Sequence, residues 1–297
     1  MLARIQQLRV LTLLMSQAAA TALAILLERP VLAVLVPLTA VLGYVIVLAV
    51  EFALLWHAFE TRDPLRPGPV ALATAWTGEV FAAPRAFFWR QPFFASAIAD
   101  SIPDSSKGRR GVVLVHGFFC NRALWNPWLR RLRQAQVPFI AVNLEPVMGS
   151  IDDYRDTIAA AVKTLRQKTS LAPVVVAHSM GGLAVRAWLA TASDPAEAHR
   201  VVTIGSPHSG TCMARQSLAP NIGQMRIGSA WLANLWSGES PSTRARFICF
   251  WSHCDNIVFP TRTATMLEAD NRHLAATAHV QMVLHPAVID TVLKLVA

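Results

Sequence analysis

The chain is 297 residues long with a formal charge of +9, and 54% of its residues are hydrophobic. Its mean hydropathy of +0.39 is too apolar for an ordinary soluble domain, and the length allows one large domain or two modest ones with a buried core. The basic excess is almost all arginine and never interleaves with aromatics in a recognisable module, so nucleic acid is not an expected partner and anionic lipid headgroups fit better.

The apolar excess sits at the N-terminus. Residues 10–27 carry no charge, Glu28-Arg29-Pro30 interrupts, and residues 31–50 are again uncharged. Each run approaches the roughly 20 residues that one bilayer-crossing helix needs. Pro37 and Gly43 in the second run are better tolerated in membrane helices than in soluble ones. The expectation is a membrane-anchoring helical hairpin over 1–60, with Glu51 the only ionisable residue near the end of its second span. Two other readings stand beside it: a cleaved signal peptide over 1–27 ahead of an anchor, and a hairpin buried in a soluble fold. Arg4, Arg9, Arg62 and Arg66 flank the pair while Arg29 in the turn is offset by Glu28, so the positive-inside rule puts both ends in the cytoplasm.

Residues 61–109 read as a juxtamembrane linker. Pro64, Pro67, Gly68 and Pro69 mark a loop over 60–69. Residues 70–99 then carry Trp76, Phe81, Phe87, Phe88, Trp89, Phe93 and Phe94 among alanines, with Arg85 and Arg90. Such a segment either lies along a membrane surface or packs its rings on the domain that follows.

From residue 110 the pattern alternates. Strands are expected over 111–115, 139–142, 173–176, 201–204 and 247–251, and helices over 124–136, 154–167, 183–191, 261–269 and 287–296. Short apolar strands separated by helices form a parallel sheet covered on both faces, so the fold class over 110–297 is α/β. The Arg130-Arg131-Arg133 cluster reads as the polar face of one helix.

The chemistry is carried by Val174-Val175-Val176-Ala177-His178-Ser179-Met180-Gly181-Gly182. A β-branched run drives into a small-x-Ser-x-Gly turn and a helix-compatible segment follows, the layout that presents a serine hydroxyl on a strained elbow. Ser179 is therefore the candidate nucleophile. Upstream, the strand Val112-Val113-Leu114-Val115 ends in His116-Gly117-Phe118, a turn suited to aiming amides at an oxyanion; Phe118 and Met180 are the candidate donors. Asp255 follows the 247–251 strand roughly 75 residues after the serine, which suits the acid, ahead of Asp270 and Asp194. His279, in the last segment, suits the base, ahead of His285 and His273; serine is a weak nucleophile until such a base takes its proton.

Taken together, His116-Gly117-Phe118, Ala177-His178-Ser179-Met180-Gly181-Gly182, the run Gly205-Ser206-Pro207-His208-Ser209-Gly210-Thr211, Asp255-Asn256-Ile257-Val258-Phe259-Pro260 and Ala278-His279-Val280 resemble the α/β-hydrolase superfamily, specifically bacterial triacylglycerol lipases and esterases. The resemblance covers about 110–297 and departs from Gly-x-Ser-x-Gly at Ala177, as some lipases also do. It implies a carboxylic ester hydrolase working through Ser179, His279 and Asp255 by an acyl-enzyme, without metal or organic cofactor. For a bacterial enzyme with such an anchor, the inner membrane is implied, with the catalytic part on the cytoplasmic side.

His116, Gly117, Phe119, His178 and His208 are candidate substrate-binding residues around this core. Met213, Met225 and Trp231 join them from the apolar excursion between 209 and 242, which also holds Leu218 and either lines an acyl pocket, forms a lid or packs as an ordinary insertion. A lipidic or acyl ester is the expected substrate, with no obligate protein partner. An acyltransferase or thioesterase would use the same machinery, and an idle hydrolase-like membrane scaffold is the reading from another class. Cys120, Cys212, Cys249 and Cys254 lack metal-ligand spacing and read as reduced thiols.

Overall fold

The computed structural model describes residues 1–60, 62–192, 194–216 and 219–297, with 215 and 216 described by backbone alone. Thr61, in the expected 60–69 loop, and Leu218 lie outside the described residues.

Two long helices come first, α1 (Leu2–Leu26) and α2 (Pro30–Ala58), joined by a tight turn and packed on each other. Proline at the first position of α2 costs no hydrogen bond there, because that amide has no acceptor in the helix. Both helices are apolar enough to cross a membrane, and only 11% and 6% of their most apolar stretches are buried.

Helix α3 (Pro69–Pro84) runs through a π-helical turn (Arg85–Arg90) into the short α4 (Gln91–Phe93). Ala75, Glu79, Ala83 and Ala86 fall on one stripe and are buried, whereas Phe81, Phe88 and Trp89 stay exposed. The small-residue face of the 70–99 segment thus packs on the sheet unit, and part of its aromatic complement faces outward.

The sheet contains β1 (Val112–Val115), β2 (Phe139–Ala141), β3 (Val174–His178), β4 (Arg200–Ile204), β5 (Phe247–Trp251) and β6 (Asp270–His273), all parallel in the order 2-1-3-4-5-6. Successive strand residues face opposite sides. Val112, Leu114, Val174, Val176, Val202, Ile204, Ile248 and Phe250 join one core with α5 (Asn126–Gln134) and α11 (Pro286–Val296). Val113, Val115, Val175, Ala177 and Val201 join the other with α6 (Arg155–Thr169) and α7 (Met180–Leu189). Short helices α8 (Pro220–Gln224), α9 (Ala230–Ser237) and α10 (Pro241–Arg244) fill the excursion between β4 and β5. The chain leaves β1 toward one edge and β3 toward the other, so the carboxyl ends of these neighbours form the crevice where such sheets place their sites.

One expectation is corrected and one strand is added. No α-helix fills 261–269: a single 3₁₀ turn (Thr261–Ala264) is followed by a turn that the Asn271 side chain closes, accepting from Met266 N at 2.9 Å and donating to Met266 O at 2.8 Å. That turn leads into β6, which sequence reading missed. Its residues Asp-Asn-Arg-His are polar and largely solvent-facing, and an edge strand needs only the backbone ladder of β5.

Candidate active site

Ser179 follows directly on β3 and caps α7 with φ 54° and ψ −129°. A non-glycine residue there carries roughly 1–3 kcal/mol of strain and persists only where its surroundings hold it. Its amide donates to Ile204 O at 2.9 Å. Two glycines permit the approach of β1: a Cβ on Gly181 would lie 2.5 Å from His116 O, and one on Gly117 2.8 Å from Ser179 Cβ. Ala177, by contrast, is fully buried within the ladder, paired with Val115 and Thr203.

The Asp255 carboxylate lies 3.0 Å from His279 Nδ1. It also accepts from the amides of Ile257 at 2.9 Å and Val258 at 2.8 Å, which hold it in the loop beyond β5. A carboxylate only accepts, so His279 Nδ1 carries the proton and Nε2 is left as the basic nitrogen. Burial pulls the His279 pKa down, but the Asp255 charge and hydrogen bond, with Glu79 behind them, raise it on balance. The rival residues lie elsewhere. Asp194 caps a 3₁₀ turn, Asp270 pairs with Arg272, His285 accepts from Ala287 N at the start of α11, and His273 stacks between His253 and Trp251.

Two cavities flank Ser179. One of about 320 Å³ is lined by Ser179, His279, His178, Phe119, Glu79 and part of α2. The other, of about 220 Å³, is lined by Ser179, Met213, Ala214, Ile222 and Met225. Phe118 and Ile257 border both. Met180 opens α7, where the first amides have no intrahelical acceptor. Larger open depressions lie beside α6 and beside His57, of about 590 and 720 Å³; neither is lined by Ser179 or His279, and the second shares only Met213 with the 220 Å³ cavity.

Among the sequence-derived binding candidates, Phe119, His178, Met213 and Met225 line the cavities, and Gly117 backs the serine turn. The His178 and His279 rings lie 4.6 Å apart, and burial holds His178 neutral, well below its ordinary pKa. Three candidates are corrected. His116 is buried, accepting from Leu144 N at Nε2 (3.0 Å) and donating from Nδ1 to Gly117 O (2.9 Å); burial lowers its pKa to about 4. His208 packs inside against Thr203 and Cys249, with its carbonyl held by Arg186 at 2.7 Å, and burial keeps it neutral. Trp231 donates to Asp152 at 2.9 Å, away from both cavities. Each of these rings is held by a partner outside both cavity linings. The four cysteines are free, and burial pushes the Cys120 thiol up to about 12.

Sequence reading missed Glu79. From α3 its carboxylate accepts from the amides of Val280 and Gln281, each at 3.0 Å, and burial raises its pKa to about 7. A lone carboxylate on the alanine stripe of α3 was the available signal.

A family model described as the Alpha/beta hydrolase family matches residues 112–291. Among solved structures, lipase BlEst2 of Bacillus licheniformis in mature form is 15% identical, with a TM-score of 0.57 over 67% of this chain and 96% of that one. Lipase B of Aspergillus fumigatus is 17% identical, with a TM-score of 0.57 over 65% of this chain and 53% of that one. At these identities the likeness is one of fold. No curated protein matches the chain in sequence. With its sheet order, its elbow and a match spanning the whole sheet, the chain belongs to the alpha/beta hydrolase family.

Proposed function

We propose that this protein is a membrane-anchored serine hydrolase that cleaves carboxylic esters of lipids. The observation that carries the reading is the arrangement around His279: Asp255 accepts the hydrogen bond from its Nδ1–H, and its ring lines the same cavity as Ser179 on the strained turn. In this reading His279 Nε2 takes the Ser179 proton as Oγ attacks the ester carbonyl. The Phe118 and Met180 amides receive the oxyanion, each worth about 3 kcal/mol at the transition state. The intermediate collapses to an acyl-serine, and His279 returns the proton to the leaving alcohol. Water, deprotonated by the same nitrogen, then releases the acid.

Methionine, isoleucine and phenylalanine around the serine favour an apolar acyl chain, and both solved neighbours named above are described as lipases. The exposed apolar surface of α1 and α2 supports anchoring, since a core helix of a soluble protein would be buried. Retention of α1 is supported by its seat beside the candidate oxyanion loop. Gln6 donates to Phe119 O at 3.2 Å and accepts from Asn121 at 3.0 Å, and the Arg9 guanidinium lies 5.1 Å from the Phe119 ring. An anchor of this kind raises the effective concentration of bilayer-resident substrate without changing the chemistry.

The test is fluorophosphonate labelling of carbonate-washed membranes carrying the full chain, beside Ser179→Ala. Label that stays with the membrane and vanishes in the variant supports the reading; a folded wild type that takes no label overturns it.

A further inference from the structure

One wall of the larger cavity comes from the second apolar helix: Tyr44, Val47, Leu48 and Glu51 of α2 line it together with Ser179 and His279. Glu51 is the only carboxylate in α2, a helix otherwise built of apolar and small residues apart from His57. An ionisable group in such a helix is costly and persists where it has a partner and a task.

The partner is Asn256. Glu51 Oε2 accepts from Asn256 Nδ2 at 2.7 Å, and Asn256 Oδ1 in turn accepts from the His279 backbone amide at 3.2 Å. Asn256 is itself buried, next to Asp255. These adjacent residues therefore hold His279 at two points, Asp255 by the ring and Asn256 by the backbone. An asparagine amide can present its oxygen or its nitrogen, and only the oxygen can receive the His279 N–H. A carboxylate has no proton to offer, so Glu51 admits only the orientation that directs Nδ2 toward α2 and Oδ1 toward His279.

Resting on the hydrolase reading of this cavity, we propose that Glu51 is a positioning residue for the catalytic histidine. Through Asn256 it fixes the backbone of His279, which makes the seating of α2 a condition for turnover. The helix is then part of the active site as well as an anchor. The feature that matters is an acceptor oxygen at the right reach.

That distinction sets the experiment. Full-length wild type, Glu51→Gln, Glu51→Asp and Glu51→Leu are compared in detergent micelles by fluorophosphonate labelling and by kcat and KM on a short-chain p-nitrophenyl ester, with thermal melts alongside. Glutamine keeps the acceptor at full reach without the charge; aspartate keeps the charge but draws it back. Misplacing a reacting group by about 1 Å can cost up to roughly 100-fold, so Glu51→Leu should lose about 10- to 100-fold in kcat with KM within about twofold. Glu51→Gln should recover to within about threefold of wild type, and Glu51→Asp should fall below Glu51→Gln. If Glu51→Leu does not fold, the order of the other two decides. Aspartate matching or exceeding glutamine, or all variants lying within about twofold of wild type, would overturn the role of Glu51 while leaving the labelled serine intact. A wild type that takes no label would overturn the hydrolase reading, and this role with it.

Discussion

The buried carboxylate of Glu79 accepts a 3.0 Å hydrogen bond from the backbone amide of Val280, the residue that follows His279. A second 3.0 Å bond from Gln281 engages its other oxygen, so a helix 201 and 202 residues earlier in the chain clamps the loop of the candidate base. Burial raises the Glu79 pKa to about 7, while the two amides oppose that rise by favouring the ionised form.

This clamp has a consequence for the pH dependence of the proposed reaction. The base must be neutral to take the serine proton, and the net effect on His279 is a raised pKa. A raised value keeps the ring protonated to higher pH, so the acid limb of kcat/KM should have its midpoint above the ordinary histidine value of 6.5. Glu79→Gln removes one of the charges that raise it, and its amide nitrogen then faces a backbone N–H. The midpoint should move to lower pH and the plateau should fall. Profiles from roughly pH 5 to 9 check both; an unmoved midpoint would contradict the electrostatic role of Glu79.

Asp255→Asn should retain the fold, because an amide oxygen can still accept from Ile257 and Val258. The ring would be held in the wrong tautomer, however, and kcat should drop by about 10⁴. Steady-state rates with a matched circular dichroism spectrum test this, and a loss below tenfold would remove Asp255 from the proposed triad.

Ala214 is buried on the wall of the 220 Å³ cavity. Ala214→Leu should shorten the preferred acyl chain, leaving short esters turned over while long ones lose about 10-fold or more, since one added methylene already counts for about 1–3 kcal/mol in such a pocket. A panel of p-nitrophenyl esters of increasing length reads this directly. An unchanged profile would assign the acyl chain to the other cavity.

Arg186 and Glu239 form a fully buried ion pair, Nε to Oε1 at 2.7 Å, and Arg186 also holds the carbonyl of His208. Removing the acid leaves a buried guanidinium uncompensated, so Glu239→Ala should cost about 3–5 kcal/mol. Chemical denaturation of the full chain in detergent measures it, and a loss under about 1 kcal/mol would mean that water reaches the pair.

Much of the sheet was legible because its strands are apolar runs buried on both faces, and the expected strands over 111–115, 139–142, 173–176, 201–204 and 247–251 sit where β1 to β5 are observed. β6 was not legible, since an edge strand of Asp-Asn-Arg-His has no apolar pattern to read. His116, His208 and Trp231 were misread for another reason. Residue type and nearness to a motif do not reveal that His116 Nε2 is held by Leu144 N, His208 Nε2 by Thr203 and Trp231 Nε1 by Asp152.

The sequence by itself determined the α/β class, the serine turn between strand and helix, and the two long apolar helices. Each is a local pattern, a period, a length or a turn, written within a few tens of residues. The sequence favoured Asp255 over Asp194 and Asp270, but tertiary structure alone decided that its carboxylate meets the His279 ring, that α3 clamps the loop after it, and that α2 walls the cavity. These pairings join residues as far apart as the 205 positions between Glu51 and Asn256. Contacts at that separation follow from how whole elements pack, and packing leaves no periodic trace in the chain.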